Sequence, residues 1–276
     1  MDSIYLDFAK AFDTVPHRRL LVKLEGYGVG GELLRWIEQF LVGRRQRVGV
    51  AGDMSSWSSV LSGVPQGSVL GPVLFVCYIN DLPEAISSVI HMYADDTKIF
   101  RKVDEVVDRE ELQRDLDRLG KWTADWQLRF NVSKCRIMHI GAGNPGAGMT
   151  MTEGSTTSLL EETRLEKDLG VWFSYNLKPH EHVARTVSKA NQILGLIRRT
   201  FTYMDPQLMK QLFTSMVRPL LEYANVVWHP YLQKDIELIE AVQHRATRMI
   251  PGYWKFGYEE RLQKLDLPTL AYRRLR

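Results

Sequence analysis

The sequence predicts an α+β fold. Short strand-like segments alternate with helical ones over residues 1–178, and helical periodicity runs almost unbroken from Pro179 onward. No segment repeats at a fixed period, which excludes solenoids and propellers. Hydrophobic residues make up 45% of the 276 and charged residues 25%, so the chain can bury a core and is not a disordered scaffold.

Each element follows from local pattern. Ile4, Leu6 and Phe8 alternate with Tyr5 and Asp7, predicting a short strand near the N-terminus. Residues 20–24 and 32–41 read as helices, the second with Leu33, Leu34, Ile37 and Leu41 on one face. Residues 47–51 and 58–61 read as a hairpin around Gly52-Asp53. The apolar run 68–79 after Pro-Gln-Gly predicts a buried helix. Residues 89–93 and 97–101 are two strands joined by Ala94-Asp95-Asp96. Leu112, Leu116, Leu119, Trp122 and Trp126 mark an amphipathic helix over 104–126, with acids in its first turns. Strands are expected at 135–140 and 169–173, joined by a flexible Gly/Ser/Thr-rich stretch. Helices are expected at 183–201, 206–228 and 234–250.

Charge and composition shift near 178–182, giving expected domains of 1–180 and 181–276. The second holds 15 of the 36 Lys/Arg but only 9 of the 33 Asp/Glu, so it is basic while the first is slightly acidic. A basic tail is expected either to meet a polyanionic partner or simply to be an ordinary solvated surface. Two cysteines, Cys77 and Cys135, exclude a disulfide framework and a four-cysteine zinc module. With no apolar run of about 18 residues and no secretory N-terminus, the expected location is intracellular, nuclear or cytoplasmic.

Three carboxylates carry the chemistry. Asp7 interrupts an apolar strand, and Asp95-Asp96 sits at a hairpin tip where Asn-Gly or Asp-Gly would be the ordinary choice. Adjacent acids repel, and a divalent cation relieves that repulsion; Mg²⁺ favours a few carboxylates plus phosphate oxygens. An isolated Asp-Asp is more often a solvated turn, so the surrounding motifs decide.

Leu6-Asp7-Phe8-Ala9-Lys10-Ala11-Phe12-Asp13, Ser62-Gly63-Val64-Pro65-Gln66-Gly67-Ser68-Val69-Leu70-Gly71-Pro72 and Tyr93-Ala94-Asp95-Asp96 occur in that order. They resemble motifs A, B and C of reverse transcriptases, in the wording of non-LTR (LINE-type, jockey-like) retrotransposons. Asn131-Val132-Ser133-Lys134-Cys135 resembles motif D, and Leu169-Gly170-Val171 the start of motif E. Residues 238–246 resemble the post-thumb region of jockey-like elements. The resemblance covers nearly the whole chain.

The resemblance implies a polymerase palm, an antiparallel sheet with packed helices, followed by a helical thumb. It implies an RNA-directed DNA polymerase that adds dNTPs to a DNA primer on an RNA template, with two Mg²⁺ ions that Mn²⁺ can replace. Asp7, Asp95 and Asp96 would hold the ions. Ala11 and Phe12 would form the sugar gate that selects deoxynucleotides and disfavours an RNA polymerase. Pro65, Gln66 and Gly67 would meet the template–primer and the nascent pair, and Lys134 would protonate pyrophosphate. Leu169, Gly170 and Val171 would form the primer grip, and Arg198 and Arg199 would lie on the duplex backbone. The chain begins at motif A, whereas the family places fingers before it. The implied partner is therefore a fingers segment or another element-encoded chain. The alternative expectation is a catalytically inactive remnant that at most binds nucleic acid.

Gly141-Ala142-Gly143-Asn144-Pro145-Gly146 spells the dinucleotide fingerprint, but no helical period follows it. His180 and His182 read as a helix start rather than as metal ligands. Arg44, Arg45 and Arg47 read as exposed cations, with phosphate contact as the alternative.

Overall fold

The computed structural model describes residues 1–154 and 156–275. The Asp2–Leu6 strand lies in the middle of a five-stranded sheet. Its order is Glu161–Glu162, Arg136–His139, Asp2–Leu6, Asp96–Arg101, Val89–Tyr93. All pairs are antiparallel except Glu161–Glu162, which runs parallel to Arg136–His139. Ile4 stands opposite Ile99 on one side and Ile137 on the other, and all three are fully buried. This line of β-branched side chains pins the register, because a one-residue slip would turn it to the other face. Asp2 is also buried. It accepts a hydrogen bond from Asn144 at 2.5 Å and faces His139 Nδ1 at 2.8 Å.

Two helices supply much of the core around this sheet. Leu70–Ile79 buries Leu74, Phe75, Tyr78 and Ile79, and Val106–Asp125 buries the expected Leu112, Leu116, Leu119 and Trp122. The long helix starts at a capping box, in which Asp108 accepts the Glu105 N–H at 3.0 Å and the Asp104 N–H at 2.9 Å. Those two backbone donors hold the Asp108 carboxyl below its ordinary value. A lysine lies inside this core. Lys23 is 6% exposed and donates to Tyr78 O and Asp81 Oδ1 at 2.5 Å, and its ammonium lies 3.8 Å from the Trp126 ring centroid and 4.6 Å from that of Trp122. Burial lowers its pKa against the opposing pull of Asp81.

The stretch after residue 140 departs from expectation. It is not a flexible connection: Thr150–Glu153 pairs with Thr156–Leu159, and Met149, Met151 and Leu160 are buried in the first core. Alternating methionines supply the apolar face, a signal diluted by the surrounding Gly, Ser and Thr. Among the described residues no helix opens at Gly146, where strands follow instead, so the dinucleotide reading fails on structure as it does on sequence.

The chain divides into two compact units, Met1–Arg164 and Leu165–Arg276. The division falls ahead of the charge shift at 178–182, because the hairpin of Leu165–Asp168 and Val171–Ser174 packs with the helices that follow. Val171 is buried in the second core with Val183 and Trp228. That core is otherwise helical, built on His180–Thr200, Gln233–Arg248 and shorter helices. The helix expected over 206–228 is split into Pro206–Leu212, a π-turn Phe213–Val217, Arg218–Glu222 and Asn225–Trp228. Pro219 has no N–H for the preceding turn, and a π-turn absorbs the mismatch. Among the described residues no helix is long and apolar enough to cross a membrane.

Candidate active site

Asp7 follows immediately on the central strand. The strand register sets Leu6 opposite Thr97 and Tyr93 opposite Asp96. Asp7 and the Asp95-Asp96 tip therefore belong to the same end of the sheet, on neighbouring strands. Ala94 turns that tip in a left-handed conformation at φ 54°. Asp95 is half-buried and Asp96 exposed.

The backbone around Asp7 is held on the 129–135 loop. Its carbonyl accepts the Asn131 N–H at 2.7 Å, its N–H meets Cys135 Sγ at 3.5 Å, and the Ala9 N–H donates to Arg129 O at 2.8 Å. Phe8 stacks on Phe130 with ring centroids 4.6 Å apart. These contacts bring Lys134 to the carboxylate, with Nζ 3.3 Å from Asp7 Oδ2. That oxygen is enclosed and accepts no hydrogen bond. Burial pushes the Cys135 thiol up to about 11, so it serves as packing and a weak acceptor, not as a nucleophile. Among the described residues no group of three or more His, Cys, Asp or Glu side chains is placed to hold a metal ion, so Asp7, Asp95 and Asp96 share one end of the sheet without forming a ready-made metal site.

The other motif residues form a second junction. Ala11 is buried, and Phe12 stacks on Phe75 of the buried helix at 4.6 Å. The motif B loop zips onto this segment: the Val64 N–H donates to Phe12 O at 2.7 Å and the Gly63 N–H to Val15 O at 2.8 Å. Ser62 Oγ donates to Asp13 O at 2.9 Å, and Gln66 Nε2 to Asp13 Oδ1 at 3.0 Å. His17 Nε2 lies 2.8 Å from Gly63 O. The close backbone approaches fall on Gly63 and Gly71. A Cβ there would sit 2.7 Å from Asp13 O and 2.5 Å from Pro65 O, whereas Gly67 has open space and uses its freedom for φ +78°. Asp13, His17, Ser62 and Gly71 are the supporting residues that sequence reasoning missed. All but His17 lie inside the quoted motifs, the available signal.

In the second unit, Leu169 (φ 44°) and Gly170 (φ 87°) make the two-residue turn between Asp168 and Val171. Tyr223 donates to Leu169 O at 2.8 Å, and a Cβ on Gly170 would meet its ring at 2.9 Å. Arg198 and Arg199 are exposed in the last turn of His180–Thr200. Arg198 lines a cleft of about 680 Å³ with His244, Arg245 and Arg248, three basic side chains that the sequence reading did not single out. Arg185 stacks 4.2 Å from the Trp172 ring centroid. His180 pairs with buried Asp235 at 2.5 Å and His182 packs on Trp228, so the two histidines serve separate structural contacts.

Residues 3–197 match the family described as reverse transcriptase (RNA-dependent DNA polymerase). Two similar curated proteins are each named RNA-directed DNA polymerase from mobile element jockey. The one from Drosophila melanogaster is 35% identical over 97% of this chain, and the one from Drosophila funebris 30% identical over 91%. The chain spans 30% and 28% of their respective lengths. A telomerase from Candida albicans, solved in complex with a TWJ fragment of telomeric RNA, aligns over 98% of this chain and 50% of its own. The TM-score is 0.50 at 9% identity, a likeness of fold alone.

Proposed function

The chain belongs to the reverse transcriptase family, and from that premise we propose that it is the catalytic part of a non-LTR retrotransposon's RNA-directed DNA polymerase. It would extend a DNA primer with dNTPs on an RNA template. The sheet unit would be the palm and the helical unit the thumb. The observation that carries this reading is the strand register, which joins the motif A carboxylate to the motif C pair at one end of the sheet.

Asp7, Asp95 and Asp96 would hold two Mg²⁺ ions. The donor set suits them, because Mg²⁺ is usually held by one or two carboxylates plus substrate phosphates, and Asp7 Oδ2 is a buried acceptor without a hydrogen bond. The bound ions would stabilise charge on the transferring phosphoryl group. Phe12, backed by Phe75, would form a rigid floor under the deoxyribose. Gln66, oriented by Asp13, would meet the nascent pair. Lys134, already 3.3 Å from Asp7, would give its proton to the departing pyrophosphate. Leu169, Gly170 and Val171 would contact the primer terminus, and Arg198 and Arg199 the duplex phosphates.

Primer extension on an RNA template with Mg²⁺ and dNTPs, run beside Asp95→Ala, tests the reading. Template-dependent extension that vanishes in the variant supports it. Duplex binding without extension in the wild type leaves a nucleic-acid-binding chain and rejects the activity.

A further inference from the structure

The segment between the first two motifs plays no part in the site above. Arg45–Gln46 pairs with Ser58–Ser59, and beyond it Gly49–Val50 pairs with Asp53–Met54, forming a narrow two-stranded ribbon. Every residue from 42 to 59 is exposed. A two-stranded ribbon is marginal in water, and this one buries none of its own side chains to offset its ordering.

Its side chains are arranged nonetheless. The Arg47 and Arg45 guanidinium carbons lie 4.7 Å and 5.6 Å from the Trp57 ring centroid, and Trp57 is 51% exposed. Arg45, in the strand, and Arg47, just past its end, thus bring two guanidiniums to one aromatic ring. At the base, the Arg44 guanidinium lies 5.3 Å from the Phe40 ring, which stacks on exposed Trp36 at 6.0 Å. Asp53 is the only acid between residues 42 and 60, against these three arginines. Among the described residues none of Arg44, Arg45 and Arg47 forms an ion pair. The ribbon thus presents guanidinium planes and aromatic rings with their charge uncompensated.

We propose that this ribbon binds single-stranded nucleic acid, with bases stacked on Trp57 and the guanidinium planes and phosphates paired with Arg44, Arg45 and Arg47. Unpaired guanidinium groups draw phosphates, and exposed ring faces reward unstacked bases, which a duplex does not offer. The proposal does not depend on polymerase activity, because the ribbon shares no residue with the carboxylate site.

The test is binding of the full chain to a labelled oligouridylate of about 15 nucleotides across a salt series, beside a blunt duplex of similar length. Arg45→Gln with Arg47→Gln should lower the salt slope by about 1.4, at about 0.7 per neutralised single-strand phosphate. Trp57→Ala should weaken oligouridylate binding about tenfold with the slope kept, and Arg47→Lys should keep the slope while losing affinity. Duplex binding should respond less than oligouridylate binding in every variant. A thermal midpoint equal to wild type identifies folded variants, as the exposed positions lead us to expect. An unchanged slope and affinity in the double variant overturns the proposal, as does an equal loss on the duplex. Asp95→Asn separates the two claims: it should abolish extension and leave oligouridylate binding intact.

Discussion

The two hairpin tips of this chain, Tyr93–Asp96 in the sheet unit and Asp168–Val171 in the helical unit, solve one geometric problem with different residues. Both need a left-handed residue. The second uses Leu169 and Gly170, both at positive φ as a type I′ turn requires, and Tyr223 supports it with a hydrogen bond and its ring. The first places Ala94 at φ 54° beside two acids. An alanine there costs about 1–2 kcal/mol, and neighbouring carboxylates add repulsion. On the proposed function, the first tip, which joins Asp7 at the sheet end, would trade stability for the placement of its acids. The second tip carries a comparable backbone cost at Leu169 and is held by the packing of Tyr223.

Substitutions at the two tips should break this contrast in different ways. Asp95→Ala should reduce primer extension roughly a thousandfold. That is the loss of about 4 kcal/mol for a unit charge pair at about 4 Å and an effective dielectric of about 20, and the thermal midpoint should stay or rise. Gly170→Ala should destabilise the helical unit by about 1–3 kcal/mol, since a Cβ there is strained at φ +87° and 2.9 Å from Tyr223; urea unfolding followed by Trp fluorescence measures it. Tyr223→Phe, read by the same unfolding curves, should cost up to about 1 kcal/mol by removing the hydroxyl that holds Leu169 O. Ala94→Gly should raise stability by up to about 1 kcal/mol and lower extension several-fold, as the tip loosens. A rise in both would show that Ala94 does not position the acids.

A pH experiment sharpens the support of the second tip. His182 is buried, accepts the Trp172 N–H at 3.2 Å, and has its pKa lowered by desolvation from an ordinary 6.5. The unfolded chain therefore binds the proton more readily, so stability falls as pH drops below about 6.5, down to the folded value. His182→Gln should flatten that slope in denaturation curves between pH 7 and 5.

Much of this was readable along the chain. The alternation of Ile4, Leu6 and Phe8, the apolar spacing of Leu112 to Trp126, and the paired acids at a hairpin tip each follow from a period of two, a period of 3.6, or turn chemistry. The strand after residue 149 was not, because Met149 and Met151 lie among Gly, Ser and Thr, and two apolar residues make no period. Nor was the split at Pro219, where one missing N–H re-registers a helix that its apolar pattern would continue.

Local pattern and charge thus account for the element types, the basic second unit and the three motifs, since each depends on neighbours within a few residues. Folding in space decided what those motifs touch. Register set Asp7 and the Asp95-Asp96 tip at the same end of the sheet, the 129–135 loop carried Lys134 to Asp7, and Gly63 and Gly71 let one loop lie flat on another. Folding also closed Trp122 and Trp126 over Lys23, and drew the division at Arg164/Leu165 through the burial of Val171. These are contacts between residues far apart in sequence, and steric fit and desolvation between such residues act only once the chain has closed on itself.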